Sequence, residues 1–270
     1  MEAIPMTAQI RAYCNQKGGV GKSTTVFQHA RRAVLAGLRV LAVDLDPQGN
    51  LTSNATAEPV EGDQAGLADA LSNRAPETLR DVIVSGVWSG LDVVPTSGVT
   101  LGAVRDELTI AGAGREVRLR EALATVADDY DLILIDCAPS LDQLTINALT
   151  AAQSVVVVTH AKKWSLDGLS QLLDTIDSVR SYYNPALRVA GIVVNQYEER
   201  TVGAQQWLTD LEGVAEARGL PLLSPPIPKR VVISDATEAS RGLDEWGSAE
   251  ATALGTLYAD HLASIEGESS

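Results

Sequence analysis

Asn15-Gln16-Lys17-Gly18-Gly19-Val20-Gly21-Lys22-Ser23-Thr24 stands between a short apolar run, Ile10–Asn15, and a segment of helical period, Ser23–Ala36. A glycine-rich turn that follows a strand and opens a helix is the context a phosphate-binding loop requires. Glycines let the backbone turn its N–H groups inward, and the positive helix end adds to their pull on an anion. Lys22 is placed to reach the β- and γ-phosphates of a nucleotide, and the Ser23 hydroxyl to ligate Mg²⁺. The common spacing GxxxxGK[ST] is not met, because its first glycine falls on Gln16, and a second lysine, Lys17, stands inside the loop.

Working outward, short apolar runs alternate with helical segments. Ile10–Asn15, Arg39–Leu45, Leu91–Pro95, Leu132–Asp136, Ser154–Thr159 and Val189–Asn195 read as strands. Ile133 to Ile135 and Val155 to Val158 are unbroken apolar stretches, which predicts strands covered on both faces, as in a parallel sheet. Ser23–Ala36, Val117–Ala127, Leu141–Ala152, Leu166–Tyr182, Thr201–Arg218 and Ser248–Ile265 read as helices, with Gly37 and Gly219 as stops. Thr52–Asn73 reads as a loop followed by a short helix around Gln64–Leu71. The alternation predicts an α/β fold with a doubly wound, mostly parallel sheet flanked by helices. One P-loop domain is expected over 1–270, with 1–9 and 266–270 frayed.

Hydrolysis at a phosphate loop also needs carboxylates. Arg39–Leu45 runs into Asp44-Leu45-Asp46-Pro47-Gln48-Gly49-Asn50, a strand end followed by a turn. Strand alternation puts Asp44 and Asp46 on one side, at the sheet edge where α/β ligands bind. Asp131–Asp136 is a second apolar strand ending in a carboxylate. Cys137, next to it, reads as a small buried residue rather than a nucleophile.

The stretch KGGVGKS resembles the deviant Walker A motif of the ParA/MinD family, VDLDPQGN resembles that family's next motif, and DLILID its Walker B motif. Leu144–Leu149, Leu166–Leu169, Gly191–Asn195 and Pro226–Lys229 resemble later family segments in the same order. The resemblance implies a P-loop ATPase using ATP and Mg²⁺. Lys17, Gly18, Gly19, Val20, Gly21, Lys22, Ser23 and Thr24 would hold the phosphates, and Lys17 would reach across an ATP-sandwich homodimer. It further implies that Asp46 orients the attacking water, that Asp44 supports the magnesium shell with Ser23, and that Asp136 holds Mg²⁺ through water. Asn195 falls where the family contacts adenine, although a strand-end Asn can equally cap the following turn. Pro228 lies in a segment similar to the loop that closes over the base.

Composition narrows the setting. The chain of 270 residues carries a net charge of −14 and is 45% hydrophobic, which excludes a disordered chain and one coated in positive charge. Cys14 and Cys137 form no CxxC, so neither a disulfide scaffold nor a zinc knuckle is indicated. Met1–Ala8 lacks the pattern of a signal peptide, and Gln143–Thr159 is short and polar for a membrane span. A cytoplasmic protein is expected, and the family resemblance adds that it is nucleoid-associated.

Among branches of the resembled family, the end Ala259–Ser270 has no Lys or Arg, unlike a basic helix that docks on anionic lipid, so no membrane partner is expected. Nine residues before the first strand leave no room for a helix-turn-helix extension. The resemblance therefore points to a small partition ATPase that binds DNA without sequence preference and is triggered by a ParB-like DNA-bound activator protein. The alternative is a ParA-like positioning ATPase for a non-DNA protein cargo. Between Arg180 and Arg241 basic and acidic residues balance, so the excess of −14 lies elsewhere in the chain. Arg200 stands at the family's DNA-touching RT position. A second family arginine is replaced by Val231-Val232-Ile233, and Lys229 and Arg230 stand beside the gap.

Overall fold

The computed structural model describes residues 8–97, 99–162 and 165–267. Eight strands form one sheet: β1 (Gln9–Cys14), β2 (Val40–Leu45), β3 (Val84–Ser85), β4 (Leu91–Val94), β5 (Leu132–Cys137), β6 (Ser154–His160), β7 (Arg188–Asn195) and β8 (Leu222–Leu223). Their order across the sheet is β3-β4-β2-β5-β1-β6-β7-β8, parallel except for β3 against β4. The helices are α1 (Lys22–Leu35), α2 (Asn50–Ala55), α3 (Leu67–Leu71), α4 (Leu79–Val82), α5 (Val99–Ile110), α6 (Arg118–Ala124), α7 (Gln143–Ala151), α8 (Ser165–Tyr182), α9 (Val202–Arg218), α10 (Val231–Glu238) and α11 (Ala249–Gly267).

The unbroken apolar strands behave as their composition requires. Ile133, Ile135, Val155 and Val157 enter one core, while Leu132, Leu134, Val156 and Val158 enter the core on the opposite face. The chain passes from β1 to β2 and β4 on one side and, after β5, to β6, β7 and β8 on the other, so the strand order reverses beside β1 and a crevice opens at the carboxyl ends of these strands. The fold is the α/β, mostly parallel, doubly wound sheet flanked by helices expected above. Gly37 and Gly219 adopt φ of +85° and +62° just past α1 and α9, the left-handed stops that glycine tolerates.

The sequence reading departs from the structure where local pattern is weak. Residues 50–55, partly read as loop, are helical because Leu51 and Ala55 are buried and Thr52 is held by Asp44. Val231-Val232-Ile233 has the composition of a strand but opens α10, whose Ile233, Ala236 and Thr237 face the core. Leu101, Val104 and Leu108 of α5 carry a helical spacing that went unread. The two-residue edge strands β3 and β8 are too short to show a period. At the ends expected to fray, Gln9 opens β1 and Glu266 and Gly267 close α11; residues 1–7 and 268–270 lie outside the described residues.

Candidate nucleotide site

The loop after β1 is tied down at its start. Asn15, buried, donates from Nδ2 to the Val158 carbonyl of β6 at 2.6 Å, and its Oδ1 accepts the Lys17 N–H at 2.8 Å. Gly19 and Gly21 take φ of +71° and +85°. Gly21 is doubly constrained, since a Cβ there would also run into the Asn195 amide nitrogen. It forms the N-cap of α1 with no side-chain cap, which leaves the first-turn N–H groups to other acceptors. Thr25 closes the turn by donating its N–H to the Gly21 carbonyl at 2.9 Å. Val20 is wholly buried in the core, so only its backbone can face a ligand.

Gly18, Gly19, Gly21, Lys22, Ser23 and Thr24 line a cleft of about 460 Å³ together with Asp46 and Gln48 from the end of β2. Lys22 is 5% exposed, so its ammonium is held rather than swinging in solvent, whereas Lys17 is exposed at the loop surface. Asp46 is buried, and its Oδ1 accepts the Gln48 N–H at 3.0 Å.

Asp44 and Asp136 are register partners on β2 and β5, both wholly buried. Asp44 accepts from the Thr52 N–H and hydroxyl, each at 2.7 Å, and from the Asp46 N–H at 3.2 Å. Burial outweighs these bonds and pushes its pKa up to about 6. Asp136 is raised well above the ordinary carboxylate range by burial first and by Asp44 second, against the pull of Ser23 and Lys22. Neither Asp136 oxygen has a hydrogen-bond partner. A buried carboxylate left open beside Ser23 and Lys22 is the donor a hydrated divalent cation would complete. Among the described residues no cluster of three His, Cys, Asp or Glu side chains is arranged to hold a metal unaided.

A raised pKa means the neutral acid is the form the ligand-free fold prefers. The stabilising contribution is present at low pH and lost as pH rises through the folded-state pKa. Asp136→Asn is therefore expected to raise the melting temperature of the ligand-free chain by about 2–6 °C at alkaline pH, with the gain fading as pH falls toward the unfolded-state carboxylate value of about 4. Thermal melts across that range check it; a variant that melts lower at alkaline pH would show that the Asp136 charge is already compensated.

Asn195 ends β7 and reaches the loop. Its Nδ2 donates to the Val20 carbonyl at 2.8 Å and its Oδ1 accepts the Gln196 N–H at 2.8 Å, so both ends of the amide are engaged by backbone. It nevertheless lines, with Gly21, Thr24, Gln196 and Pro228, a second cleft of about 240 Å³ that shares Gly21, Thr24 and Gln196 with the first. Arg200, Lys229 and Arg230 come together around a larger outer cleft of about 810 Å³. Two of the three are neutralised: Lys229 pairs with Glu198 at 2.8 Å and Arg230 with Glu250 at 3.0 Å. Arg200 is exposed and has no ion pair among the described residues.

Several residues at the site escaped the sequence reading. Thr52 holds Asp44 and accepts the Thr96 N–H, a contact between distant segments with no local signature. His160 closes β6 beside Asn195, its pKa lowered to about 4 by burial and then by Lys162 and Lys17. Cys137 is buried, as its sequence setting suggests; what went unread is that it lies 3.2 Å from Cys14, also a buried free thiol.

A parallel sheet whose central strand runs into a lysine- and glycine-rich loop, with three aspartates at neighbouring strand ends, defines a P-loop nucleotide-binding protein. A family model described as an AAA domain matches residues 8–189. The chain is 37% identical to the chromosome partitioning protein ParA of Caulobacter vibrioides, covering 87% of this chain and 85% of that one. The structure superposes on cobyrinic acid a,c-diamide synthase from Mycobacterium smegmatis with bound ATP analogue and magnesium, with TM-score 0.74 and 35% identity over 86% and 92% of the two chains. Cyanothece McdA in complex with ATP shares the fold at TM-score 0.85, with 20% identity over 97% and 98%. The chain belongs to the ParA/MinD family of P-loop ATPases. No helix among the described residues is long and apolar enough to cross a membrane.

Proposed function

We propose that the chain is a single Mg²⁺-dependent ATPase domain that hydrolyses ATP to ADP and phosphate, dimerises around two ATP molecules and acts in DNA partition. The observation that carries this reading is the convergence of Lys22, Ser23 and Asp46 on one cleft, beside the unpaired Asp136. Lys22 neutralises the terminal phosphates, and the loop N–H groups fix their orientation. Asp46 holds the attacking water in line. Ser23 directly and Asp136 through water would hold magnesium, with Asp44 behind them; the ion supplies charge neutralisation on the phosphates when bound. Lys17, exposed at the loop surface, is free to reach a second copy. Asn195 and Pro228 flank the adjoining cleft, where the base would lie, and an Asn195 contact to adenine would replace one of its present backbone bonds. Phosphate release from ATP, abolished by chelation of the metal, is the direct test.

Partition needs a DNA surface and a DNA-bound, ParB-like partner. Arg200, Lys229 and Arg230 on one cleft support the DNA contact; the Glu198 and Glu250 pairings favour the second reading, positioning of a protein cargo. Phosphate contacts release counterions, so DNA binding should fall steeply with salt, ignore sequence and require ATP, since dimerisation doubles the patch. Arg200→Ala with Lys229→Ala is expected to weaken DNA binding by about tenfold or more while leaving ATP affinity intact. Gel shifts with ATP and Mg²⁺ at low salt decide between the readings. No shift by the unmodified protein would leave the cargo reading.

A further inference from the structure

Two non-glycine residues among those described have a positive φ, Gln196 at +53° and Ser240 at +54°. Ser240 follows the end of α10, where a left-handed residue is an ordinary helix stop. Gln196 follows a strand and has no such explanation. A left-handed backbone at a β-carbon residue costs free energy and persists only where surrounding contacts hold it.

The contacts that hold it run to the phosphate loop. The Gln196 side-chain Nε2 donates to the Gly19 carbonyl at 3.1 Å, next to the Asn195 bond to the Val20 carbonyl at 2.8 Å. The Gln196 main-chain N–H is bound to Asn195 Oδ1, so the Asn195 side chain is tied to the Gln196 backbone. On the far side, the Tyr197 N–H donates to the Ile227 carbonyl at 2.9 Å, and the Lys229 N–H to the Tyr197 carbonyl at 3.0 Å. The strap is thus fixed at both ends, with its left-handed residue at the loop.

Two successive loop carbonyls are drawn to one side by this pair. In a planar trans peptide the C=O and N–H point in opposite directions. Holding the Gly19 carbonyl therefore aims the Val20 N–H away from Gln196, and holding the Val20 carbonyl does the same for the Gly21 N–H. These peptides flank the glycines at φ +71° and +85°, whose freedom would otherwise let the peptides between them turn over. A turned peptide would present a carbonyl oxygen to an anion.

We infer that Gln196 is a positioning residue for the phosphate cradle: its side-chain amide, pinned to the Gly19 carbonyl by a left-handed backbone, keeps the Gly19–Val20 peptide in the orientation that offers its N–H to a phosphate. The inference rests on the nucleotide-binding reading above and adds to it a residue outside the loop motif. Gln196 also lines both the phosphate-side and the base-side cleft, so its effect must be separated from a contact with the base.

Two probes make that separation. Displacement of a fluorescent ADP by inorganic pyrophosphate reads the phosphate cradle alone; displacement by adenosine reads the base side alone. Gln196→Gly removes the amide while relieving the backbone, and Gln196→Met keeps the side-chain length without a donor. Each is expected to weaken pyrophosphate displacement by about threefold to tenfold, the worth of one hydrogen bond that orients an anion donor, with adenosine displacement unchanged. Gln196→Gly should melt no lower than the parent if the backbone carries the strain. Should it fail to fold, Gln196→Met gives the same reading. Equal pyrophosphate affinity in a folded variant overturns the inference, as does a loss confined to adenosine, which would make Gln196 a base contact. An unmodified chain that binds neither fluorescent ADP nor pyrophosphate would instead overturn the nucleotide reading itself, so the two failures are distinguishable.

Discussion

Lys22→Ala is expected to lose ATP affinity by about 100-fold or more, the largest effect of any single substitution at the site. The ammonium is almost wholly buried at the start of α1 and lines the cleft with Ser23 and Asp46. A charge-assisted bond to phosphate is worth more than a neutral one, and its loss leaves phosphate charge facing buried aspartates with one cation fewer. Lys22 also lowers the proton affinity of Asp136. Its removal should therefore make Asp136 still more prone to hold a proton, without unfolding a sheet whose core lies elsewhere. Calorimetric titration with ATP on a variant shown to be folded measures this; unchanged affinity would mean that phosphates do not bind at this loop.

Asp46→Ala should behave differently. Asp46 sits across the cleft on the β2 end, and its side chain bonds to Gln48 of its own turn and its N–H to Asp44, not to the loop. Taking away a group that aligns water leaves the phosphate cradle intact, so ATP affinity should stay within about threefold of the parent, while turnover falls by about 100-fold or more. The variant should accumulate as an ATP-bound dimer, seen as a mass increase by light scattering with ATP and not with ADP. Ordinary phosphate release from Asp46→Ala would assign the water to another residue.

How much of this was legible in the chain depends on the distance over which each feature is set. The phosphate loop and the three carboxylates at the two strand ends are local: the residue types, their spacing and the apolar run before them are contiguous, so motif and context could be read together. The six long strands were equally readable, since burial on both faces demands unbroken apolar runs such as Val155–Val158. What escaped is set by contacts across the sequence. Thr52 grips Asp44 only because α2 folds back over the end of β2, and nothing in its own neighbourhood announces that role. Val231-Val232-Ile233 has strand composition, but packing of one face of α10 against α1 overrides it. The basic residues Arg200, Lys229 and Arg230 were read as one patch and do share a cleft, yet the acids that neutralise two of them, Glu198 and Glu250, come from separate segments. Gln196 carries no motif at all; its left-handed backbone exists only in the fold.

The central claim is that the cleft between the loop and the β2 end hydrolyses Mg²⁺-bound ATP. Its most direct test is phosphate release from ATP by the unmodified chain, followed with magnesium present and after chelation. Slow, metal-dependent release that disappears in both Lys22→Ala and Asp46→Ala is the result expected. Release unaffected by either substitution, or none above background from a chain that is folded and bound to ATP, would contradict it.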